Sequence, residues 1–240
     1  MKISGSGNIA SGEYKNVRIS GSGTLKGFVR CASFHSSGSS KGDDIECKNE
    51  FKVSGSSKFS KSVKAGSVSV SGSFGCDGSL TVDEKISCSG GAKVLGDVKC
   101  GILSVSGGLT VGGDVEAETV NVSGKLSCGG LINAEEITIK FDHGMEIGSI
   151  GGSTIVIFRE SNDKKAVRLP LFASMVKGST NTVHVKNSIE GDKIALENVE
   201  APRVSGRVVA IGEGCEIDLV QYSEEIEVSP NAKVGKTEKI

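Results

Sequence analysis

The stretch ISGSGTLKGFVRC, Ile19–Cys31, comes back as VSGSSKFSKSVKA at Val53–Ala65, VSGSFGCDGSLTV at Val70–Val82 and VSGGLTVGGDVEA at Val105–Ala117. Its Ser-Gly pair starts at Ser4, Ser20, Ser37, Ser54, Ser71, Ser89, Ser106 and Ser123, in steps of 16 to 18 residues. A fixed period of this kind decides the architecture before any local signal is weighed.

Aligned on the repeat glycine, the copies show apolar columns. Two residues before it stand Ile3, Ile19, Val53, Val70, Cys88, Val105 and Val122, with Ser36 the one polar member. Four after it stand Ile9, Leu25, Phe59, Cys76, Val94, Val111 and Cys128; thirteen after it stand Phe34, Phe51, Val68, Leu103, Val120 and Ile137, with Val17 and Ile86 shifted into that column by one-residue length differences. Ile45 and Cys47 arrive one residue early in the third copy. Apolar and polar residues alternate locally, the pattern of strands with one buried face. A unit of 17 residues cannot bury that face alone, but a stack can. Successive rungs would then lie about 4.8 Å apart.

The fold expected is all-β: a single-stranded parallel β-helix, or solenoid, with about 17 residues per coil. A second glycine column (Gly27, Gly78, Gly96, Gly113, Gly130) predicts corners with positive φ or close backbone approach. The absence of Trp, with only 2 Tyr and 8 Phe, reads as a narrow interior that excludes large rings. Residues 1–140 are expected to form eight regular repeats. Residues 141–240 are expected to hold an irregular excursion near 141–181, where Pro170 opposes a central strand, and then looser coils of the same solenoid.

Formal charge is −1, which opposes a broad nucleic-acid footprint. No apolar run reaches the length of a transmembrane segment, and MKISGSG enters the repeat directly, leaving no room for a signal peptide. Of the seven cysteines, Cys31, Cys47, Cys76, Cys88, Cys100 and Cys128 fall on or beside apolar columns and read as reduced core residues. No C-x-x-C is present, so no metal site is expected. GSGTLKG lacks the G-K-[ST] of a phosphate loop. Asp142-His143 is the only His beside a carboxylate; it reads as a loop pair. His35 and His184 stand singly. No catalytic residue, cofactor or enzyme activity is expected.

The motif V-S-G-x-x-x-h-x-G-x-h-x-a-x-x-h resembles bactofilins, bacterial polymer-forming cytoskeletal proteins, over Ile3–Ile139. The downstream EGDKIALENVEAPRVSGRVVAIGEGCEIDLVQY resembles their longer Gram-positive members of roughly this length. The resemblance implies a right-handed helix and cytoplasmic filaments assembled without nucleotide. It also implies partners in the form of other copies, other bactofilins or proteins scaffolded at the membrane. A surface or secreted adhesin-like solenoid is the alternative. Self-association is expected through the first coil, where Ile3, Ile9 and Val17 face inward with nothing before Met1 to cover them. The far end is expected to be capped by Pro230 and by Lys233, Lys236 and Lys239.

Overall fold

The computed structural model describes residues 1–159 and 181–240, together with the backbone of two short strands at Ala166–Leu169 and Phe172–Val176. The described residues contain strands and turns only, in two compact units, Met1–Ala117 and Glu118–Ile240. Each is a stack of parallel strands coiled at about one turn per 17 residues. The β-solenoid read from the repeat is the fold.

In the first unit one column can be followed rung by rung. Ile3 faces Ile19, Ile19 faces Ser36, Ser36 faces Val53, Val53 faces Val70, Val70 faces Cys88 and Cys88 faces Val105. The early arrival of Ile45 and Cys47 is a local bulge. Val29 faces Ile45 and Cys31 faces Cys47 at a step of 16, whereas Phe34 faces Phe51 at a step of 17, and the register shifts between them.

The repeat glycine is required by backbone approach. A Cβ on Gly21, Gly38, Gly55, Gly72, Gly90 or Gly107 would lie 2.0–2.1 Å from the carbonyl oxygen of the repeat glycine one coil earlier. In the second glycine column Gly27 has φ +75°, whereas at Gly96 and Gly113 a Cβ would meet Ser79 Oγ at 2.7 Å and Asp97 Oδ1 at 2.0 Å. Those side chains belong to a capping row at the same corner. Ser62 N donates to Asp44 Oδ1 (3.0 Å), Asp97 N to Ser79 Oγ (3.2 Å) and Asp114 N to Asp97 Oδ1 (3.0 Å). At these three corners a side chain of one coil satisfies an N–H of the next.

The expectation that the interior excludes large rings is overturned. Phe34, Phe51, Phe59 and Phe74 are buried. Phe34 stacks on Phe51 with ring centroids 4.8 Å apart, and Phe59 and Phe74 each set an edge against Phe51 at 5.5 Å. Room comes from an inward column that composition hides. Gly7, Gly23, Ser40 and Ser57 stand on successive rungs of the column that next carries Phe74, Ala92 and Leu109. Ser40 and Ser57 satisfy each other inside the core at 2.6 Å between hydroxyl oxygens. Gly42 leaves the space that Phe59 fills: a Cβ there would lie 2.7 Å from Phe59 Cε1.

The second unit opens at the same pitch, Val120 facing Ile137 and Val122 facing Ile139. Within the segment expected to be irregular, Met145–Arg159 is a regular strand paired in parallel with Lys125–Phe141 on one side and Ser188–Leu196 on the other. The excursion follows it. Met145 faces Val183, a step of 38, and the intervening chain includes an antiparallel pairing of Ala166–Leu169 with Phe172–Val176. Pro170 lies outside the described residues. Later coils are tighter: Val183 faces Val199 and Ile189 faces Val204, steps of 16 and 15, before the pitch returns to 17 where Glu216 faces Lys233.

Candidate functional site: outer rungs and charged columns

Among the described residues, the strands Lys2–Ile3 and Ser6–Ile9 pair on one side only, with Gly12–Ile19 and Ser22–Leu25. Ser22 N donates to Gly5 O and Lys26 N to Ile9 O, so the peptide groups of Ser6 and Asn8 are directed away from the second coil. An exposed row of this kind is a template for a further strand.

Ile9 and Val17 are fully buried and Ile3 nearly so, within one chain. Tyr14, partly buried, occupies the rung position facing Cys31, and its hydroxyl donates to Ala10 O at 3.0 Å. A large ring stands where the following coils carry Cys31, Cys47 and Ala65. The rung offers backbone groups; its apolar interior is already covered.

The last rung of the second unit is not as expected. Pro230 does not end the ladder. It sits in a turn after Glu216–Val228, where its missing N–H costs nothing, and Lys233–Lys239 then pairs in parallel with Glu216–Tyr222. Lys233 is engaged by Glu216 at 2.6 Å and Lys236 by Glu238 at 2.5 Å. Val228 is 39% exposed and Ile226 half-buried, although Ile211 and Val209, which they face, are fully buried. This rung presents the more exposed apolar surface of the two.

All seven cysteines are buried and free. Cys31 and Cys47, inward on neighbouring rungs, have sulfurs 3.4 Å apart. Their contact holds the Cys31 thiol below its usual range and, with burial, pushes Cys47 up. Burial pushes Cys76 up to about 11 and Cys100 and Cys215 to about 12, so these thiols are protonated at neutral pH.

Asp142 and His143 do pair, Oδ1 to Nδ1 at 2.6 Å, and the imidazole holds the carboxyl below its usual range. Both side chains are more than half exposed, and Asn181 Nδ2 donates to the Asp142 carbonyl. His35 pairs with Glu50 and His184 with Glu200, each at 2.9 Å. No group of three or more His, Cys, Asp or Glu among the described residues is placed to hold a metal ion. No helix of the described residues is long and apolar enough to cross a membrane.

The outward charges, which the apolar columns leave out of account, form columns of their own. Glu13 faces Arg30, Arg30 faces Glu46 and Glu46 faces Lys64, alternating in sign, with Arg30 bridged to Glu13 at 3.2 Å and to Glu46 at 3.1 Å. Another column runs Lys2, Arg18, His35, Lys52 without alternation.

The described residues thus form parallel solenoid coils whose first and last strands pair on one side only. Comparison with known proteins gives a match over part of the chain. Residues 37–115 match the family Bactofilin, described as polymer-forming cytoskeletal. The likeness read from the repeat is borne out there. Two proteins of Bacillus subtilis (strain 168) are similar. YhbF is 33% identical over 94 residues, 39% of this chain and 34% of YhbF; YhbE is 42% identical over 52 residues, 22% of each. Both are described as uncharacterized. The chain thus spans about a third of YhbF and less of YhbE. No solved structure matches.

Proposed function

We propose that this protein is a cytoplasmic scaffold that self-associates through the outer rungs of its β-solenoid, without nucleotide and without enzymatic chemistry. The observation that carries the reading is the one-sided pairing of Ser6–Ile9, with the outward peptide groups of Ser6 and Asn8, on a chain whose residues 37–115 match a polymer-forming family. Strand addition at such an edge contributes backbone hydrogen bonds and needs no bound cofactor. Ile3, Ile9 and Val17 support the first rung from within, while Ile226 and Val228 offer an apolar contact at the other. Pairing first rung to first rung closes a dimer; a filament needs the second contact as well.

The test is sizing and negative-stain microscopy of the full chain and two variants. Asn8→Pro removes an outward N–H from an edge strand, where proline is tolerated. Ile226→Lys with Val228→Lys charges the last rung of the second unit at positions already part-exposed. Each variant alone should stop growth beyond small species, and the combination should be monomeric with an unchanged β spectrum. A wild-type protein that stays monomeric at all concentrations, or combined variants that elute like wild type, would rule the proposal out.

A further inference from the structure

The column Lys2–Arg18–His35–Lys52 sets four basic side chains on consecutive rungs. Like-charged residues directly opposite each other in a sheet destabilise it. The same strands show the ordinary remedy a few residues earlier, where Glu13, Arg30, Glu46 and Lys64 alternate in sign. In the basic column only His35 has a carboxylate partner, Glu50 at 2.9 Å; Lys2, Arg18 and Lys52 make no ion pair among the described residues. The chain as a whole is near neutral, so this is a local concentration of charge.

Arg18, His35 and Lys52 line a groove of about 240 Å³ together with Ser20, Ser37 and Ser54. These serines are the Ser of three successive Ser-Gly pairs, and all three are exposed. The groove is therefore lined by a guanidinium, an ammonium and three hydroxyls, with the His35 imidazole between them paired to Glu50. Arginine forks and hydroxyl donors together suit tetrahedral oxyanions, which accept from several directions. Arg18 and Lys52 are two rungs apart, about 10 Å along the stack, so a single small anion would leave part of the row unused.

We propose that this groove binds phosphoryl groups arranged in a line, two or three to a site. The proposal goes beyond assembly through the outer rungs, since Arg18, His35 and Lys52 lie on the side of the stack. The phosphates could be those of a free oligophosphate or of lipid headgroups displayed on a surface, and the experiment separates the two.

Full-length protein is titrated calorimetrically with sodium tripolyphosphate at low and physiological ionic strength. In parallel it is sedimented with vesicles of phosphatidylcholine, with and without phosphatidic acid. Wild type, Arg18→Gln/Lys52→Gln and the control Lys26→Gln/Lys93→Gln are compared, the control removing the same charge from exposed positions elsewhere on the unit. Saturable tripolyphosphate binding that weakens about tenfold or more in the groove variant, and not in the control, is the expected result for a free ligand. Binding to phosphatidic-acid vesicles alone, lost in the groove variant and kept in the control, supports the site and assigns the phosphates to a lipid surface. No binding in either arm overturns the proposal, as does binding that the groove variant retains or that the control loses equally. Thermal melts of all three proteins show whether the groove variant stays folded. If it does not, Lys52→Gln alone, at an exposed position, must show the same directional loss for the proposal to stand.

Discussion

The carbonyl oxygen of Gly55 occupies the place where a side chain of Gly72 would begin: a Cβ on Gly72 would lie 2.0 Å from it. Backbone stands against backbone here, so no rotamer change relieves the contact. Gly72→Ala should cost about 3 kcal/mol or more, at the upper end of single-residue effects. Gly91→Ala is the matched control, since nothing lies within 4 Å of a Cβ there. It should be neutral within about 0.5 kcal/mol. Urea unfolding followed by circular dichroism measures both; equal stabilities of the two variants would refute the steric account of the Ser-Gly repeat.

Stability should fall at alkaline pH through the buried thiols. Burial raises Cys100 and Cys215 to about 12, while an unfolded thiol titrates near about 8.5. Below the unfolded value both states hold the proton and nothing is lost. Above it the unfolded chain gains by ionising and the folded chain does not, so stability declines from about pH 8.5 toward about pH 12. Each thiol contributes a slope of up to about 1.4 kcal/mol per pH unit. Cys100→Ala and Cys215→Ala should each flatten the dependence between about pH 8 and about pH 10, whatever their cost at neutral pH. Variants with the wild-type slope would show that these thiols do not titrate against the fold.

The side chain of Asp97 is a register pin. Its Oδ1 accepts from Asp114 N at 3.0 Å on the next coil. Asp97→Ala should cost about 1 kcal/mol, the net value of a typical hydrogen bond, and Asp97→Asn, which keeps a carbonyl acceptor, should restore most of it. Hydrogen exchange at the Asp114 amide reports the bond directly: faster in the alanine variant, near wild type in the asparagine variant. Unchanged exchange in Asp97→Ala would remove the pin.

The fold was legible in this sequence to an unusual depth because one physical constraint is written many times. Each repeat glycine answers the same carbonyl, and each Val or Ile two residues before it answers the same inward rung. Even the bulge showed, as the early arrival of Ile45 and Cys47. The inward column through Gly23, Ser40 and Ser57 did not show, because small and polar residues in it look like surface. Without that column the buried Phe cluster could not be anticipated. The outer rungs were half legible. That Ser6–Ile9 pairs with Ser22–Leu25 follows from the repeat, but that Tyr14 takes the rung position facing Cys31 does not, since one aromatic outside the apolar pattern carries no orientation. The charged columns were equally hidden. Arg18, His35 and Lys52 are ordinary surface residues until the register sets them on consecutive rungs.

Gly42 and Phe59 form a complementary pair, and their coupling can be measured. Phe59 takes the rung position facing Gly42, and a Cβ at Gly42 would lie 2.7 Å from Phe59 Cε1, 3.0 Å from Cδ1 and 3.2 Å from Leu25 Cβ. Gly42→Ala overpacks the core and should cost about 1–3 kcal/mol. Phe59→Leu alone removes ring volume and edge contacts to Phe34 and Phe51, whose centroids lie 5.9 and 5.5 Å away, and should cost about 1–3 kcal/mol as a large-to-small change. In the double variant the added methyl enters space that the ring has vacated. The two costs should therefore fall short of additivity by about 1 kcal/mol or more, as expected for neighbours that share one volume. Strict additivity in a chemical-denaturation cycle would mean that the core relaxes around the added methyl by some route other than the Phe59 ring.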